Sequence, residues 1–237
     1  MKVSPEYRRF ADQEALAHVL VESVTRQLRT ALAAGSASLV VPGGRTPVPF
    51  FNQLSQSPLE WNRVHVTLTD ERWVDVSDIA SNERLLREHL LRNAASTAQV
   101  LGLRGDATGA GAAAAAGATA AWQRLSMIQR PFDVVVLGMG EDGHFASLFP
   151  GDPASESGLD LSQPPGCIAV HAPAAPALRV SLNLSALLQA RQLVLLATGE
   201  RKWQLLRQEQ VEATSLHLPV HQLLAQRHTP VTVYWCP

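Results

Sequence analysis

The chain has 237 residues, 46% hydrophobic and 17% charged, which is enough to bury a substantial core, and one domain over residues 1–237 is predicted. The formal net charge of -1 gives no overall attraction to nucleic acid or an anionic membrane, so neither partner is expected. The only cysteines, Cys167 and Cys236, are too few for a disulfide framework, and no apolar run approaches the ~18 residues that span a bilayer, so a cytoplasmic location is predicted.

Hydrophobic periodicity predicts strands that alternate with helices. In the first half these are a helix over 12–32, a strand over 38–41, a helix from Pro47, a strand over 64–69, a polar loop through Ser81 and a helix over 82–91. An Ala/Gly/Thr tract over 107–121 is predicted to become helical by about residue 113, followed by strands over 133–137, 167–171, 179–182, 192–197 and 230–235 and helices over 185–189 and 200–208. This alternation predicts a single-domain, Rossmann-like, doubly wound α/β fold with a mainly parallel sheet and helices on both faces.

The first glycine turn follows the predicted strand over 38–41. Gly43 and Gly44 let backbone N–H groups approach an anion, and Thr46 as N-cap with Pro47 at the first helical position would place a positive helix end there. The segment indicates a phosphate site, with an ordinary tight turn as the alternative.

A second glycine turn, 138–143, reads GMGEDG after the predicted strand over 133–137 and formally matches GxGxxG. Two carboxylates within the turn disfavour a pyrophosphate, and no acidic residue ends a second strand about 20 residues later, so no dinucleotide cofactor is expected. His144 follows directly, and an imidazole that a neighbouring carboxylate orients is typical of a general base. A capping or solvated histidine is the alternative.

Two further charged segments fall at predicted carboxyl ends of strands. Asp70-Glu71-Arg72 follows the strand over 64–69 and is either part of a cleft or a solvated cluster. Lys202, one of two lysines, opens a predicted helix, where its charge opposes the helix dipole and binding an anion would explain it. Because parallel strands end at one edge of a sheet, these segments and both glycine turns are predicted to share a cleft.

Several catalytic and metal-binding signatures are absent from the sequence. There is no GxSxG, HExxH or GxxxxGK[ST] segment. His217 and His221 are four residues apart, but Pro219 lies between them and no third ligand is evident, which favours core or surface histidines. We therefore expect a protein that needs no metal ion and no organic cofactor.

Taken together, several segments resemble the 6-phosphogluconolactonase family in content, order and spacing. They are residues 41–47, 69–72 with 81–82, 137–151, 179–181 and Gly199 with Lys202. The run GMGEDGH with the following ASLFPG is the most specific of them. That family's first loop usually reads SGGSTP, whereas Pro42 and Arg45 stand here in place of the two serines, which removes two hydroxyl donors.

The resemblance implies hydrolysis of 6-phospho-D-glucono-1,5-lactone, the second step of the oxidative pentose phosphate pathway. It implies that His144 is the general base that activates water and that Asp142 orients it. It also implies a binding set for a sugar-phosphate lactone, made of Gly43, Gly44, Arg45, Thr46, Asp70, Arg72, Arg179 and Lys202. A monomer or weak homo-oligomer is expected.

Two alternatives stay open. Glucosamine-6-phosphate deaminases resemble this family in fold, phosphate loop and Asp-Gly-His turn, but they carry Asn-Glu-Pro shortly after the histidine. This chain has Ser147-Leu148-Phe149-Pro150 there, without a carboxylate to transfer protons. A non-catalytic sugar-phosphate sensor would keep a cationic pocket but would need no base, so His144 counts against it.

Overall fold

The computed structural model describes residues 4–104, 112–208 and 218–237. Within them, the strands are β1 (Glu6–Arg9), β2 (Ala37–Val41), β3 (Val64–Leu68), β4 (Asp70–Arg72), β5 (Gln99–Leu101), β6 (Phe132–Gly138), β7 (Cys167–His171), β8 (Leu178–Leu182), β9 (Ala190–Thr198) and β10 (Val231–Cys236). The α-helices are α1 (Gln13–Ala34), α2 (Val48–Leu54), α3 (Asn82–His89), α4 (Ala112–Arg124), α5 (Pro153–Leu159), α6 (Leu184–Leu187), α7 (Glu200–Gln208) and α8 (Pro219–Ala225).

Seven strands form the central sheet in the order β1-β10-β9-β6-β2-β3-β5, and each neighbouring pair is parallel. From β2 the chain continues outward to β3 and β5, whereas from β6 it continues in the opposite direction to β9 and β10. Because parallel crossovers are right-handed, this reversal sends the two sets of crossovers to opposite faces. The predicted doubly wound, mainly parallel α/β fold is confirmed, and its switch point lies between β2 and β6.

The centre of this sheet is covered on both faces. Every residue of β2 is buried, which is typical of a parallel strand with helices above and below it. Helix α1 packs against β2, β6 and β10. Its buried side chains Leu16, Leu20, Val24 and Leu28 recur every four residues, so they share one face of the helix.

A second, three-stranded antiparallel sheet has the order β4-β8-β7. Two sequence predictions are corrected here: residues 70–72 form a strand rather than a polar loop, and the strands predicted at 167–171 and 179–182 belong to this sheet rather than to the parallel one. The reason is pairing, since Asp70 lies opposite Ser181 and Arg72 opposite Arg179. A run of three charged residues carries no hydrophobic alternation that would reveal such a strand.

The other predicted elements are present, with ends shifted by three residues or fewer where the structure describes them. Four short elements were not predicted: β1 and β5, at the two edges of the sheet, and α5 and α8, which each span seven residues. The first part of the tract over 107–121 lies outside the described residues. Among the described residues, no helix is long and apolar enough to cross a membrane.

His221 is a core histidine, as favoured from the sequence. It is 1% exposed, and its Nε2 lies 3.0 Å from the backbone oxygen of Leu205. His217 lies outside the described residues.

A reciprocal contact between side chain and backbone joins β2 to β6. Ser38 donates from its backbone N–H and from Oγ to Asp133 Oδ2, at 2.9 and 3.0 Å. Ser38 Oγ in turn accepts from the Asp133 N–H at 2.8 Å. Both residues lie on strands that flank the switch point, so this contact helps to fix the two strands relative to each other.

We expect Ser38→Ala to lower the free energy of unfolding by about 1–3 kcal/mol, since it leaves the Asp133 N–H without its partner in a largely buried position. Urea unfolding measures this quantity. Ser36→Ala, at an exposed position two residues earlier, is the matched control and should change it by less than about 0.5 kcal/mol. Equal effects of the two substitutions would contradict the prediction.

Candidate active site

A cavity of about 220 Å³ opens at the switch point. Its walls come from the segments that follow β2, β3, β6 and β9, together with Arg179 of β8. The predicted site residues among its lining are Gly43, Gly44, Thr46, Asp70, Arg72, His144, Arg179 and Lys202. Arg45 and Asp142 do not line it.

The first glycine loop requires glycine at both positions. Gly44 has φ +84°, in the left-handed region, and a Cβ on Gly43 would overlap the side chain of Asn82. The prediction of Thr46 as helix N-cap is wrong: the chain turns at Thr46 and Pro47, and α2 begins at Val48 with no side-chain cap. Thr46 therefore faces the cavity instead.

Arg45 is exposed, directly after the turn at Gly44. It does not contribute to the cavity lining, so its assignment to phosphate binding stays a prediction.

His144 is held by Asp142. Its Nδ1 lies 2.6 Å from Asp142 Oδ1, and its backbone N–H donates to the same oxygen at 3.2 Å. A carboxylate only accepts hydrogen bonds, so in the neutral form of the imidazole Nδ1 carries the proton and Nε2 has the lone pair. Burial opposes ionisation of Asp142, but its hydrogen bonds with His144 and the charge of the imidazole lower the pKa of this carboxyl overall.

The turn from Gly140 to His144 packs tightly around this pair. The Gly140 N–H donates to the His144 oxygen at 2.9 Å, and Gly143 has φ +81°. A Cβ on Gly140 would overlap the imidazole and approach Asp142 Oδ1 to 2.6 Å. The space where a side chain would lie is therefore occupied by the His–Asp pair.

Two arginines are paired in register on adjacent strands of the second sheet, Arg72 on β4 and Arg179 on β8. Like charges in this arrangement destabilise a sheet unless an anion offsets them. Burial lowers the pKa of Arg179; Asp70 opposes this shift and Arg72 adds to it. Arg72 Nε is buried and has no hydrogen-bond partner among the described residues.

Lys202 brings a third cation to the cavity from the first turn of α7. Burial lowers its pKa, because desolvation disfavours the charged ammonium, while Glu141 opposes the shift. Three partly buried cations at one cavity are the arrangement expected of an anion site.

Glu71 has a structural role. Its carboxylate accepts from the backbone N–H groups of Arg72, Asn82 and Glu83 at 2.6–2.7 Å and from Ser81 Oγ at 3.0 Å. Burial raises the pKa of Glu71 although these hydrogen bonds favour its ionised form. The contacts attach the start of α3 to β4.

Asp70, by contrast, lines the cavity. Its Oδ1 accepts from Thr69 Oγ1 at 2.9 Å, and its Oδ2 accepts from Ser147 Oγ at 2.6 Å. Hydrogen bonds from two hydroxyl groups therefore fix the position of this carboxylate.

Sequence reasoning missed two residues of the site. Asn82 is 1% exposed, and its Nδ2 donates to the backbone oxygen of Asp70 at 2.8 Å. Its Oδ1 has no hydrogen-bond partner among the described residues. The signal in the sequence was its place in residues 81–82, which together with residues 69–72 carry part of the family resemblance. Phe149 packs on the ring of His144, with 4.5 Å between the ring centroids. From the sequence, Phe149 was noted only because the deaminases have a carboxylate in this segment and this chain does not.

Among the described residues, no group of three or more His, Cys, Asp and Glu side chains is placed to hold a metal ion. The fold and the cavity define a doubly wound α/β protein in which a pocket lined by three cations lies beside an imidazole oriented by a carboxylate.

The sequence model for glucosamine-6-phosphate isomerases/6-phosphogluconolactonase matches residues 11–235, and the chain belongs to this family. It is 42% identical to a 6-phosphogluconolactonase of Pseudomonas putida over 228 residues, covering 96% of this chain and 91% of that protein.

Solved structures give the same result. The crystal structure of a 6-phosphogluconolactonase from Shewanella baltica aligns over 100% of both chains, with a TM-score of 0.90 and 42% identity. A monomeric glucosamine-6-phosphate deaminase aligns over 98% of this chain and 97% of its own, with a TM-score of 0.78 but only 16% identity, and therefore shares the fold alone.

The three cations predict that inorganic phosphate binds in the cavity. Phosphate should raise the melting temperature, and Arg179→Ala should weaken its binding about tenfold or more, since a charge-assisted hydrogen bond is lost. Isothermal titration calorimetry measures the affinity. Arg29→Ala removes the same charge from an exposed position on α1 and is the control. Equal affinities of the two variants would show that the anion binds elsewhere.

Proposed function

We infer that the protein hydrolyses 6-phospho-D-glucono-1,5-lactone to 6-phospho-D-gluconate in the oxidative pentose phosphate pathway. Its relatives along nearly the whole chain are named 6-phosphogluconolactonases. The observation that carries the proposal is one cavity in which an Asp-bound imidazole and three cations lie together. A phosphorylated lactone needs both features.

We propose His144 as the general base. Nε2 takes a proton from a water molecule, whose oxygen attacks the lactone carbonyl, and Asp142 stabilises the imidazolium that forms. The C–O bond of the lactone ring then breaks, and the ring oxygen receives the proton from the His144 imidazolium to become the hydroxyl of the open-chain acid, which restores the neutral imidazole. A lactone is an activated ester, so one positioned base worth ~10²–10⁴ in rate suffices without a covalent nucleophile.

The phosphate end supplies orientation. Arg72, Arg179 and Lys202, with the backbone of Gly43 and Gly44, are proposed to hold the phosphate by charge-assisted hydrogen bonds. Holding this remote group fixes the ring so that its carbonyl faces His144, which converts binding energy into orientation. Asp70, as an acceptor that repels phosphate, suits the hydroxyl groups of the sugar instead.

Neither alternative explains the site as well. A deaminase would need a carboxylate where Phe149 packs against His144. A sensor would have no use for an imidazole held at 2.6 Å by a carboxylate.

Three further properties are proposed with the activity. The chain is proposed to act as one domain over 1–237, supported by the pairing of β1 with β10 from opposite ends of the chain. Cys167 and Cys236 are free thiols, which supports the reducing cytoplasm as its location. A monomer or weak homo-oligomer is also proposed.

His144→Gln should lower kcat by ~10²–10⁴ with little change in KM, because glutamine keeps a polar side chain but no basic nitrogen. The lactone is supplied enzymatically, and spontaneous hydrolysis is subtracted.

His171→Gln, at an exposed position at the end of β7, is the control and should keep full activity. If His144→Gln retains more than about a tenth of the wild-type kcat, the loss in rate is smaller than the contribution of a general base. In that case another group activates the water.

Lys202→Ala should raise KM for the phosphorylated lactone about tenfold or more and remove most of the preference over unphosphorylated gluconolactone. The reason is the loss of one cation from the phosphate end. Steady-state kinetics with both substrates measure the preference. Arg207→Ala, exposed on the same helix, is the control. An unchanged preference in Lys202→Ala would place the phosphate away from α7.

A further inference from the structure

The chain after His144 folds back to bring Phe149 under the imidazole. Phe145 forms isolated bridges with both Met139 and Leu148, and the Leu148 N–H donates to the Phe145 oxygen at 3.0 Å. Ala146, between them, has φ +48°, in the left-handed region that disfavours residues with a Cβ. Strained backbone of this kind persists where the surroundings enforce it, and it frequently marks a functional site.

The backbone of Phe149 is fixed from behind. Its N–H donates to Ser155 Oγ at 2.9 Å, and this hydroxyl donates to Asp152 Oδ2 at 2.7 Å. Asp152 is the N-cap of α5 and also accepts from the Ser155 N–H at 2.8 Å. These hydrogen bonds fix the backbone from which the ring of Phe149 extends, and the residue is only 4% exposed.

Phe149 has two functional neighbours. Its ring centroid lies 4.5 Å from that of His144, with the planes tilted by 45°. The guanidinium carbon of Arg179 lies 5.4 Å from the Phe149 centroid, within the range of a cation–π interaction. One buried ring thus contacts both the proposed base and a proposed phosphate ligand.

Each neighbour needs such a support. Asp142 fixes Nδ1 of His144, the absence of a side chain at Gly140 makes room for the ring, and Phe149 packs against the ring with the two planes tilted by 45°. Arg179 lies opposite Arg72, and its Nε donates to the backbone oxygen of Pro176 in a long hydrogen bond of 3.3 Å. The aromatic ring offers an attraction that offsets this repulsion before phosphate binds.

We propose that Phe149 is a positioning residue that holds the imidazole of His144 and the guanidinium of Arg179 in a common geometry, so that base and phosphate site are aligned with each other. The inference rests on the proposed function. Phe149 transfers no proton and contacts no reacting atom in this proposal; it acts through its two neighbours. A carboxylate at this position would hydrogen-bond to the imidazole or the guanidinium instead of leaving both free for the substrate.

The test uses Phe149→Leu, which keeps an apolar side chain but removes the ring face. Turnover of the lactone gives kcat and KM, and calorimetry with 6-phospho-D-gluconate gives product affinity without turnover. Phe132→Leu is the matched control, since Phe132 is also buried and also has an arginine over its ring, Arg130 at 5.2 Å, but lies at the opposite end of β6. Both variants are first compared by thermal unfolding.

We expect Phe149→Leu to lower kcat about tenfold, as a misplaced base does, and to weaken product binding about three- to fivefold, as loss of a cation–π contact does. In the Arg179→Ala background the same substitution should weaken product binding less than about twofold, because the contact is already lost. In the His144→Gln background it should leave the residual kcat unchanged. Phe132→Leu should leave kcat and product affinity at their wild-type values.

Three results would overturn the proposal: kcat and product affinity of Phe149→Leu within about twofold of wild type, an equal loss in Phe132→Leu, or full additivity with Arg179→Ala. These are distinguishable from failure of the proposed function. If His144→Gln keeps its activity, the base is wrongly assigned, whereas the product-binding arm still decides whether Phe149 positions Arg179.

Discussion

The reversal of the chain between β2 and β6 is the constraint on which the rest of the structure depends. Crossovers leave these two neighbouring strands in opposite directions, so neither covers the crevice at their carboxyl ends. The Gly43-Gly44 loop, the turn with His144 and the first turn of α7 open into this crevice because they follow β2, β6 and β9. The second sheet then brings Arg72 and Arg179 to its side.

The site concentrates features that are unfavourable unless an anion offsets them. Arg72 and Arg179 lie opposite each other, Lys202 is partly desolvated, and Ala146 adopts a left-handed backbone. The buried core of the sheet and the hydrogen bonds of Glu71 at the start of α3 hold them in place. A bound phosphate would relieve the first two, which is how a preorganised anion site differs from a surface charge cluster.

Much of this could be predicted from the sequence. The buried central strands are apolar runs in the sequence, and the turn that ends in His144 has a distinctive pattern, so the parallel fold and the position of His144 in the cleft could be predicted. The strand at 70–72 was not, because its pairing with β8 depends on contacts distant in the sequence. The contacts of Phe149 with His144 and Arg179 could not be predicted either. A phenylalanine in an apolar motif is typical of a core residue, and its two neighbours lie on β8 and five residues earlier in the chain.

A structure with 6-phospho-D-gluconate bound would test most directly whether one cavity joins the phosphate site to the base. Phosphate oxygens should lie within about 2.7–3.2 Å of nitrogen atoms of Arg179 and Lys202. The product carboxylate, which derives from the lactone carbonyl, should lie beside His144 Nε2. A product bound in the reverse orientation, or with its phosphate away from these cations, would contradict the division of the cavity into an anion-binding end and a catalytic end.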